Sequence, residues 1–483
     1  MGKGTLHQMY ARVAFIVSGY AINIAMVYLL GDPAAYGLLG IMINVTNIAR
    51  VLLSTGLPQA TSHFIADNDD ELTYPILRTS MKLQWILGAV IVAIYVAGAS
   101  IWSNLLNDDS LVPYFWATAP LIPLMGAFQV LQSYFNGTRR FVIQSWLNIL
   151  YSVSRVVFAI ALVLLGTEVY GVLFGFTLSL ALSAGVSWHY VRPRTGTSNP
   201  ASRRLLAFAA PLMVLAIGQA VLVNLDLLQI KAFFPTSDDV GYYSGMASLS
   251  RTPYFLFTAF SVTLLPGVTA ALRSQGRAAA GALIARSTTF LFITALPVLA
   301  IVAAVPGPLL DFVFPAEYAA AADALIWATM AQTALALVAS FTSAITAGGK
   351  PYLAMAAWLV CIPVQLAAGA WLIPEYGMLG TALASVIAAV AGLLLSAVLT
   401  KHYFGRLFDP LPVLKAVGAA LVVYLLMGIP EGYSLWALPF ACLAALGLYA
   451  ALVIATGAVT RTEIKALFRR EKDPSPTEEI TPQ

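Results

Sequence analysis

The sequence predicts an all-α integral membrane protein with about fourteen transmembrane helices. We expect two six-helix halves, related as a parallel repeat around a central cavity, and a final helix pair. Three observations support this fold class. The chain is 60% hydrophobic and only 10% charged, its mean hydropathy is +0.83, and apolar runs of membrane-spanning length recur along it. This composition leaves no room for a soluble domain of ordinary size.

A helix needs about 20 apolar residues to cross about 30 Å of hydrocarbon. The predicted spans are 10–31, 38–64, 80–104, 112–135, 142–166, 169–190, 207–234, 241–267, 285–306, 319–347, 352–373, 378–400, 413–429 and 433–456. Several contain prolines, such as Pro58 and Pro253, that remove a backbone donor and predict kinks.

The loop charges predict the orientation of these spans. If the N-terminus, with Lys3 and Arg12, is cytoplasmic, alternate loops on that side hold nearly all the basic residues, and acidic residues dominate the opposite loops. Lys231 is the one basic residue near the outer face. The alternation requires an even number of spans. We therefore expect a multi-pass protein of the cytoplasmic membrane with both termini in the cytoplasm.

Two short sequence echoes, six spans apart, indicate an internal repeat. The segment 136–140 is answered by 347–350, and 168–173 is answered by 375–379. Because six is even, both halves have the same orientation. The predicted units are an N-terminal lobe (1–195), a C-terminal lobe (196–405), an extra helix pair (406–458) and a disordered cytoplasmic tail (459–483).

Four charged residues lie deep inside apolar spans: Arg50, Arg155, Asp226 and Arg251. A charge at that depth costs roughly 2.5–3.5 kcal/mol on insertion scales, so it normally faces a protein interior or a water-filled path. Three positive charges against one negative predict a cationic cavity and an anionic cargo.

Polar residues at helical spacing extend this pattern. Asn44, Asn47 and Arg50 form one stripe on the second span, and Gln219 and Asp226 lie two turns apart on the seventh. The first, second, seventh and eighth spans can therefore meet between the halves. The residues predicted to bind substrate are Arg50, Arg251, Asn44, Asn47, Gln219 and Asn23.

Asp226 is the only acid deep in a span, which makes it the candidate for ion coupling. Asp226 and Arg251 both lie about 12–15 Å below the outer end, so they are level enough to pair. Such a pair can also be purely structural. Arg155, on a separate stripe of the fifth span, has either a structural or a cavity-lining role.

The sequence has no hydrolytic triad, phosphate-binding glycine loop or paired catalytic carboxylates. None of its four histidines lies in a cluster of residues that could bind a metal. We therefore predict a protein that is not an enzyme and has neither a metal nor a cofactor.

The segment 54–66, the residues 240–244 and the loop motifs at Gly137 and Gly348 resemble bacterial oligosaccharide flippases. These are the Wzx-like polysaccharide exporters of the multidrug/oligosaccharidyl-lipid/polysaccharide superfamily, and the resemblance covers most of residues 5–405. It implies a flippase that moves an undecaprenyl-diphosphate-linked oligosaccharide by alternating access, coupled to an ion gradient. Arg50 and Arg251 match cavity arginines of the related lipid II flippases. Similarity to those flippases also implies that residues 411–456 handle the lipid tail.

Two other functions stay open. One is a cation-coupled multidrug or small-molecule exporter of the same superfamily. Exporters of that branch typically bind a cation at an acid in the first helix, and the first span here has no acid, which argues against this function. The other is an integral-membrane glycosyltransferase or ligase, although such enzymes usually need catalytic acids in sizeable loops. The expected partners are the lipid-linked oligosaccharide, membrane lipids, H⁺ or Na⁺ as coupling ion, and polysaccharide polymerase machinery. Nucleic acid is not expected.

Overall fold

The computed structural model describes residues 3–67, 70–192, 202–235, 238–429, 434 and 436–459. Helices account for nearly all of these residues, and none of them forms a strand. The predicted disordered tail, apart from its first residue, lies outside the described residues.

The helices, in chain order, are α1 (Lys3–Leu30), α2 (Pro33–Ala66), α3 (Asp70–Ala97), α4 (Ala99–Leu105), α5 (Val112–Thr118), α6 (Leu121–Gly137), α7 (Phe141–Leu162), α8 (Glu168–His189), α9 (Ser202–Phe233), α10 (Asp239–Ser250), α11 (Thr252–Ser274), α12 (Gly276–Ala304), α13 (Pro306–Val313), α14 (Ala322–Ala347), α15 (Pro351–Phe404), α16 (Pro410–Met427) and α17 (Ala437–Ala455). Short helical turns occupy Asp109–Leu111, Val163–Thr167 and Ala316–Ala321.

Within the described residues, 11 helical stretches are long and apolar enough to cross a membrane. The all-helical membrane fold is therefore confirmed, whereas the count of fourteen spans is not. Two of the stretches, Phe141–His189 and Pro351–Phe404, contain 49 and 54 residues. Each is longer than one crossing needs, and each was predicted as two spans.

The first of these stretches folds back on itself at a tight turn. Gly166 has φ 82° and Glu168 has φ 46°, conformations that interrupt the helix. Ser154, before the turn, and Ser179, after it, have their hydroxyls 2.6 Å apart. In a straight helix, 25 residues would separate them by about 37 Å. Therefore α7 and α8 form an antiparallel hairpin, as the separate predicted spans require.

The helix α15 folds back in the same way. Gly377 has φ 54° and ψ −124°, which is not helical. Gln365, on the arm before the turn, donates from Nε2 to Oγ of Ser385 on the arm after it, at 3.2 Å. We refer to the whole of α15 as the α15 hairpin.

The predicted eighth span is broken at Arg251, where α10 ends and α11 begins. Pro253, in the first turn of α11, lacks the backbone N–H that would continue the hydrogen-bond ladder of α10 across this point. Arg251 consequently caps both helices. The predicted kink is thus a break in the helix, and it lies at a charged residue.

We use the names first lobe for α1–α8 and second lobe for α9–α15, following the predicted halves. The lobes meet where α2 packs against α9 and α10, and the pair α16–α17 packs against α12. The outer end is the end of the bundle that holds the α1–α2 turn. There the lobes touch through backbone: a Cβ added to Gly37 would lie 2.8 Å from the nitrogen of Gly241. Only glycine permits this approach.

Candidate functional site

The centre of the candidate site is a buried ion pair at the α10–α11 break. The Nη2 of Arg251 lies 2.9 Å from Oδ1 of Asp226, and the two side chains are 13% and 4% exposed. The amide of Leu227 also donates to this Oδ1, at 2.8 Å. The depths counted along the sequence predicted that these residues could pair, and the structure contains the pair.

Two further contacts join this pair to the first lobe. Arg251 donates from Nη1 to Oδ1 of Asn44 on α2, at 3.1 Å. The hydroxyls of Tyr20 on α1 and Thr252 on α11 also share a hydrogen bond. Helices α1, α2 and α9 therefore converge on the α10–α11 break. This is the predicted meeting of the first, second, seventh and eighth spans.

Asn44 was predicted to contact substrate, and in this conformation its amide has protein partners. Its Oδ1 accepts from Arg251, and its Nδ2 donates to the carbonyl of Gly40 at 2.7 Å. Asn44 is 4% exposed. Here the residue connects the two lobes.

Tyr243, on α10, is a site residue that the sequence did not single out. Its hydroxyl donates to Oδ2 of Asp226 at 3.3 Å, and its side chain is fully buried. Its spacing could have identified it: Tyr243 precedes Arg251 by about two helical turns and so lies near the same face of the span.

Arg155 lies inside the first lobe, between aromatic rings. Its guanidinium carbon is 5.0 Å from the ring centre of Phe15, 5.4 Å from that of Tyr151 and 5.6 Å from that of Phe176. Its Nη2 donates to Oγ of Ser18 at 2.9 Å. The rings stabilise the cation without cancelling its charge. These contacts support the structural role of Arg155.

Arg50 and Arg155 lie close enough for their positive charges to repel each other. The buried Nε atoms of both arginines have no hydrogen-bond partner among the described residues. Neither arginine forms an ion pair with a described acid. Arg50 follows Asn44 by six residues, about 9 Å along α2. The first lobe therefore holds two positive charges next to the junction, and no acid in the described part of the chain is in direct contact with either of them.

The remaining predicted substrate residues make few contacts. Asn23 accepts a long hydrogen bond, 3.5 Å, from the hydroxyl of Tyr36. Asn47 and Gln219 are partly buried and form no hydrogen bond with the described part of the chain. Their role in binding stays a prediction. No group of three or more His, Cys, Asp or Glu that could hold a metal occurs among the described residues.

A second ion pair closes the lobes at the outer end. The Nζ of Lys231, on α9, lies 2.6 Å from Oδ2 of Asp108, which follows α4. Asn107 adds a bond from Nδ2 to the carbonyl of Ala232, at 2.8 Å. Burial raises the pKa of Asp108, but the hydrogen bonds from Lys231 and Ser110 outweigh it, and the pKa falls below its ordinary value. We call this contact the outer-end pair.

The comparisons with solved structures agree with this fold. The lipid II flippase MurJ, in an inward closed conformation, superposes with a TM-score of 0.75 at 13% identity, over 96% of this chain and 99% of that chain. An inward-facing multidrug resistance MATE family transporter of the MOP superfamily gives 0.69 at 13% identity, over 82% and 98%. A MOP superfamily transporter from Pyrococcus furiosus, noted for the reverse polarity of its binding pocket, gives 0.59 at 15% identity, over 82% and 94%. At these identities the likeness shows the fold.

The family comparison adds what the fold alone does not show. No curated protein matches the chain. Residues 26–323 match the family model described as polysaccharide biosynthesis protein. This match and the solved structures confirm the resemblance to polysaccharide exporters of the multidrug/oligosaccharidyl-lipid/polysaccharide superfamily. Because the match covers more than half of the chain, this multi-pass membrane protein belongs to the polysaccharide biosynthesis protein family and has the fold of the MOP superfamily transporters.

Proposed function

We propose that the protein translocates an undecaprenyl-diphosphate-linked oligosaccharide across the cytoplasmic membrane by alternating access. The observation that carries this proposal is the positive charge of Arg50 and Arg155, which no described acid pairs with. A diphosphate has an ionised oxygen on each phosphorus, and guanidinium groups bind such oxygens through paired N–H donors.

The charges inside the junction favour an anion over a cation. Arg251 and Asp226 neutralise each other in this conformation. Arg50 and Arg155 leave an excess of two positive charges in a low-dielectric region, where an anionic head group is stabilised and a cation is repelled. The family's connection with polysaccharide biosynthesis, and the lipid II flippase among the fold neighbours, support a lipid-linked sugar as the cargo.

The binding test uses the purified protein in nanodiscs and undecaprenyl diphosphate bearing a short glycan. We expect Arg50→Ala to weaken binding by 10-fold or more, since a charge-assisted hydrogen bond contributes about 1.5–3 kcal/mol. The matched control is Arg273→Ala, which removes an exposed arginine at the end of α11. Undecaprenyl monophosphate should bind less tightly than the diphosphate. Equal binding by the wild type and the Arg50 variant would contradict the proposal.

The second candidate is a cation-coupled multidrug or small-molecule exporter, which the MATE family fold neighbour favours. The excess positive charge at Arg50 and Arg155 argues against cationic drugs as cargo. The binding assay separates the two functions: a cationic drug that binds independently of Arg50 supports the exporter. The fold neighbours are transporters and a flippase, not enzymes, so the glycosyltransferase or ligase is not supported.

We also propose that both termini are cytoplasmic, on the basis of the loop charges. The test is labelling of single cysteines by a membrane-impermeant maleimide in intact cells, in a background that lacks Cys361 and Cys442. A cysteine at Asp109 should be labelled from outside, and one at Arg140 should not. Labelling at Arg140 from outside would reverse the orientation.

A further inference from the structure

The face of α7 that carries Arg155 also carries a row of polar side chains inside the first lobe. Arg155 joins α7 to α1 through its hydrogen bond to Ser18. Asn148 joins α7 to α6, because its Nδ2 donates to Oε1 of Gln132 at 2.9 Å. Asn148 precedes Arg155 by seven residues, two turns of the helix, so both lie near one face of α7. Helices α1, α6 and α7 therefore surround these side chains.

Hydrogen bonds define the orientation of the two amides. Nδ2 of Asn148 also donates to the backbone carbonyl of Gln144 at 3.0 Å, and a carbonyl can only accept. The nitrogen of Asn148 therefore faces Gln132, and Gln132 must present its oxygen in return. Nε2 of Gln132 is then buried without a hydrogen-bond partner in the described part of the chain. Oδ1 of Asn148 likewise accepts no hydrogen bond from the described residues.

The unused donor of Gln132 is unusual for a side chain that is only 4% exposed. Most buried polar groups in proteins are paired, and leaving a buried amide donor unpaired is costly. A free donor and a free acceptor on neighbouring side chains suit a hydroxyl group, because a hydroxyl both donates and accepts. The amide pair is therefore suited to a ligand rich in hydroxyls, such as a sugar.

The amide pair lies at a defined distance from the arginines. The seven residues between Asn148 and Arg155 correspond to about 10 Å along α7. Asn148 is the closer of the two to the loop between α6 and α7, which contains residues 138–140. With the diphosphate at Arg155, the amides are beyond hydrogen-bonding distance of the phosphates. They lie instead beside the part of the head group that follows the phosphates, which is the glycan.

We propose that Gln132 and Asn148 form a subsite that binds hydroxyl groups of the sugar residues next to the diphosphate. The inference rests on the proposed function, because it takes its position from a diphosphate bound at Arg50 and Arg155. It divides the head group between two sets of residues. The arginines bind the charge that every lipid diphosphate carries, and the amides bind the glycan and contribute to its selection.

The test compares two ligands in nanodiscs: undecaprenyl diphosphate bearing a disaccharide of N-acetylglucosamine, and undecaprenyl diphosphate without sugar. Gln132→Met keeps roughly the size of the side chain and removes its amide. We expect it to weaken binding of the glycosylated lipid by about 3- to 10-fold, the effect of one lost hydrogen bond between neutral groups. Asn148→Ala should have an effect of similar size, and the double variant should lose little more, because the two amides act together. Binding of the sugar-free lipid should not change.

The matched control is Gln332→Met, on α14 of the second lobe. Gln332 is also a buried glutamine, and its Oε1 also lacks a partner among the described residues, so the change is chemically the same at another place. It should leave both affinities unchanged. Amide variants that bind both lipids as the wild type does would overturn the subsite, and so would an equal loss for the two lipids, which indicates a structural role. If Gln132→Met does not fold, Asn148→Ala decides, since it only removes atoms from a half-buried position.

Failure of the subsite and failure of the proposed function give different results. Arg50→Ala should weaken binding of both lipids, because both contain the diphosphate. A loss in Arg50→Ala, without a selective loss for the glycosylated lipid in the amide variants, retains the proposed function and rejects the subsite. A wild-type protein that binds neither lipid rejects the proposed function and the subsite with it.

Discussion

Replacing Asp226 with asparagine separates its two proposed roles, counter-ion and coupling group. The variant Asp226→Asn keeps the size of the side chain and removes its charge. Arg251, whose side chain is only 13% exposed, is then left without a counter-ion. Breaking a buried pair by removing one partner costs about 3–5 kcal/mol, most of it from the charge left behind. We expect a loss of that size in the free energy of unfolding.

The double variant Asp226→Asn with Arg251→Gln removes both charges and leaves two amides that can hydrogen-bond. It should recover roughly 2 kcal/mol or more of the lost stability, since no unpaired charge remains. Transport should not recover, because the double variant has no acid to bind the coupling ion. Stability is measured by denaturation of the purified protein, and transport in vesicles that contain equal amounts of protein.

Transport and stability each test one of the two roles of Asp226. Full recovery of transport in the double variant would reduce Asp226 to a structural counter-ion. A single variant as stable as the wild type would show that the pair contributes nothing to folding, which is incompatible with its burial.

Four other predictions follow from the contacts. Arg50→Ala should abolish export at normal membrane abundance while Arg50→Lys retains part of it, since lysine keeps the charge but loses the planar fork; normal export by the alanine variant contradicts the cationic site. Reversing the charge of Asp108 alone, or of Lys231 alone, should place two like charges against each other and open the outer end to cysteine labelling. Reversing both charges restores an opposite pair and should close the outer end again. Because the pKa of Asp108 is lowered, the outer-end pair should persist at neutral pH and loosen only as the pH falls through that lowered value; loosening between pH 6 and 8 would exclude Asp108. Gly241→Ala should cost about 1–3 kcal/mol in thermal unfolding, because its Cβ would press on the carbonyl of Pro33.

The central ion pair could be predicted from the sequence for two reasons. Charged residues are rare inside transmembrane spans, and the depth of each one can be counted in residues from the end of its span. Asp226 and Arg251 lie in apolar runs whose ends are recognisable, so the rise per residue gave each a level in the membrane. An unpaired charge at that level is costly, and a partner at the same level is therefore expected. The same count, three positive charges against one negative, predicted an excess of positive charge inside the membrane.

The surroundings of these residues could not be predicted, because they depend on which helix faces flank one another. Arg155 was assigned to a stripe of its own, and its electrostatic contact with Arg50 follows from the packing of α1, α2 and α7. Asn44 was predicted to contact substrate, because nothing in its spacing indicated that its amide oxygen would accept a hydrogen bond from Arg251. The contact of Tyr243 with Asp226 depends on how α10 packs against α9, which sequence periodicity does not define.

The central ion pair also predicts a thermodynamic link between substrate and coupling ion. In this conformation Arg251 is held by Asp226. It also donates to Asn44, which lies about 9 Å along α2 from Arg50. A diphosphate that draws Arg251 toward Arg50 releases Asp226, and an unpaired carboxylate inside the membrane favours uptake of a proton or cation.

Linkage is reciprocal, so the coupling ion must raise the affinity for the substrate by the same factor that the substrate raises the affinity for the ion. We expect a factor of about 5–150, the usual range of such couplings. Titrating the diphosphate lipid at several pH values and Na⁺ concentrations measures one factor, and ion binding with and without the lipid measures the other. In Asp226→Asn the affinity for the lipid should no longer depend on the ion. A dependence that persists in this variant would place ion coupling at another residue.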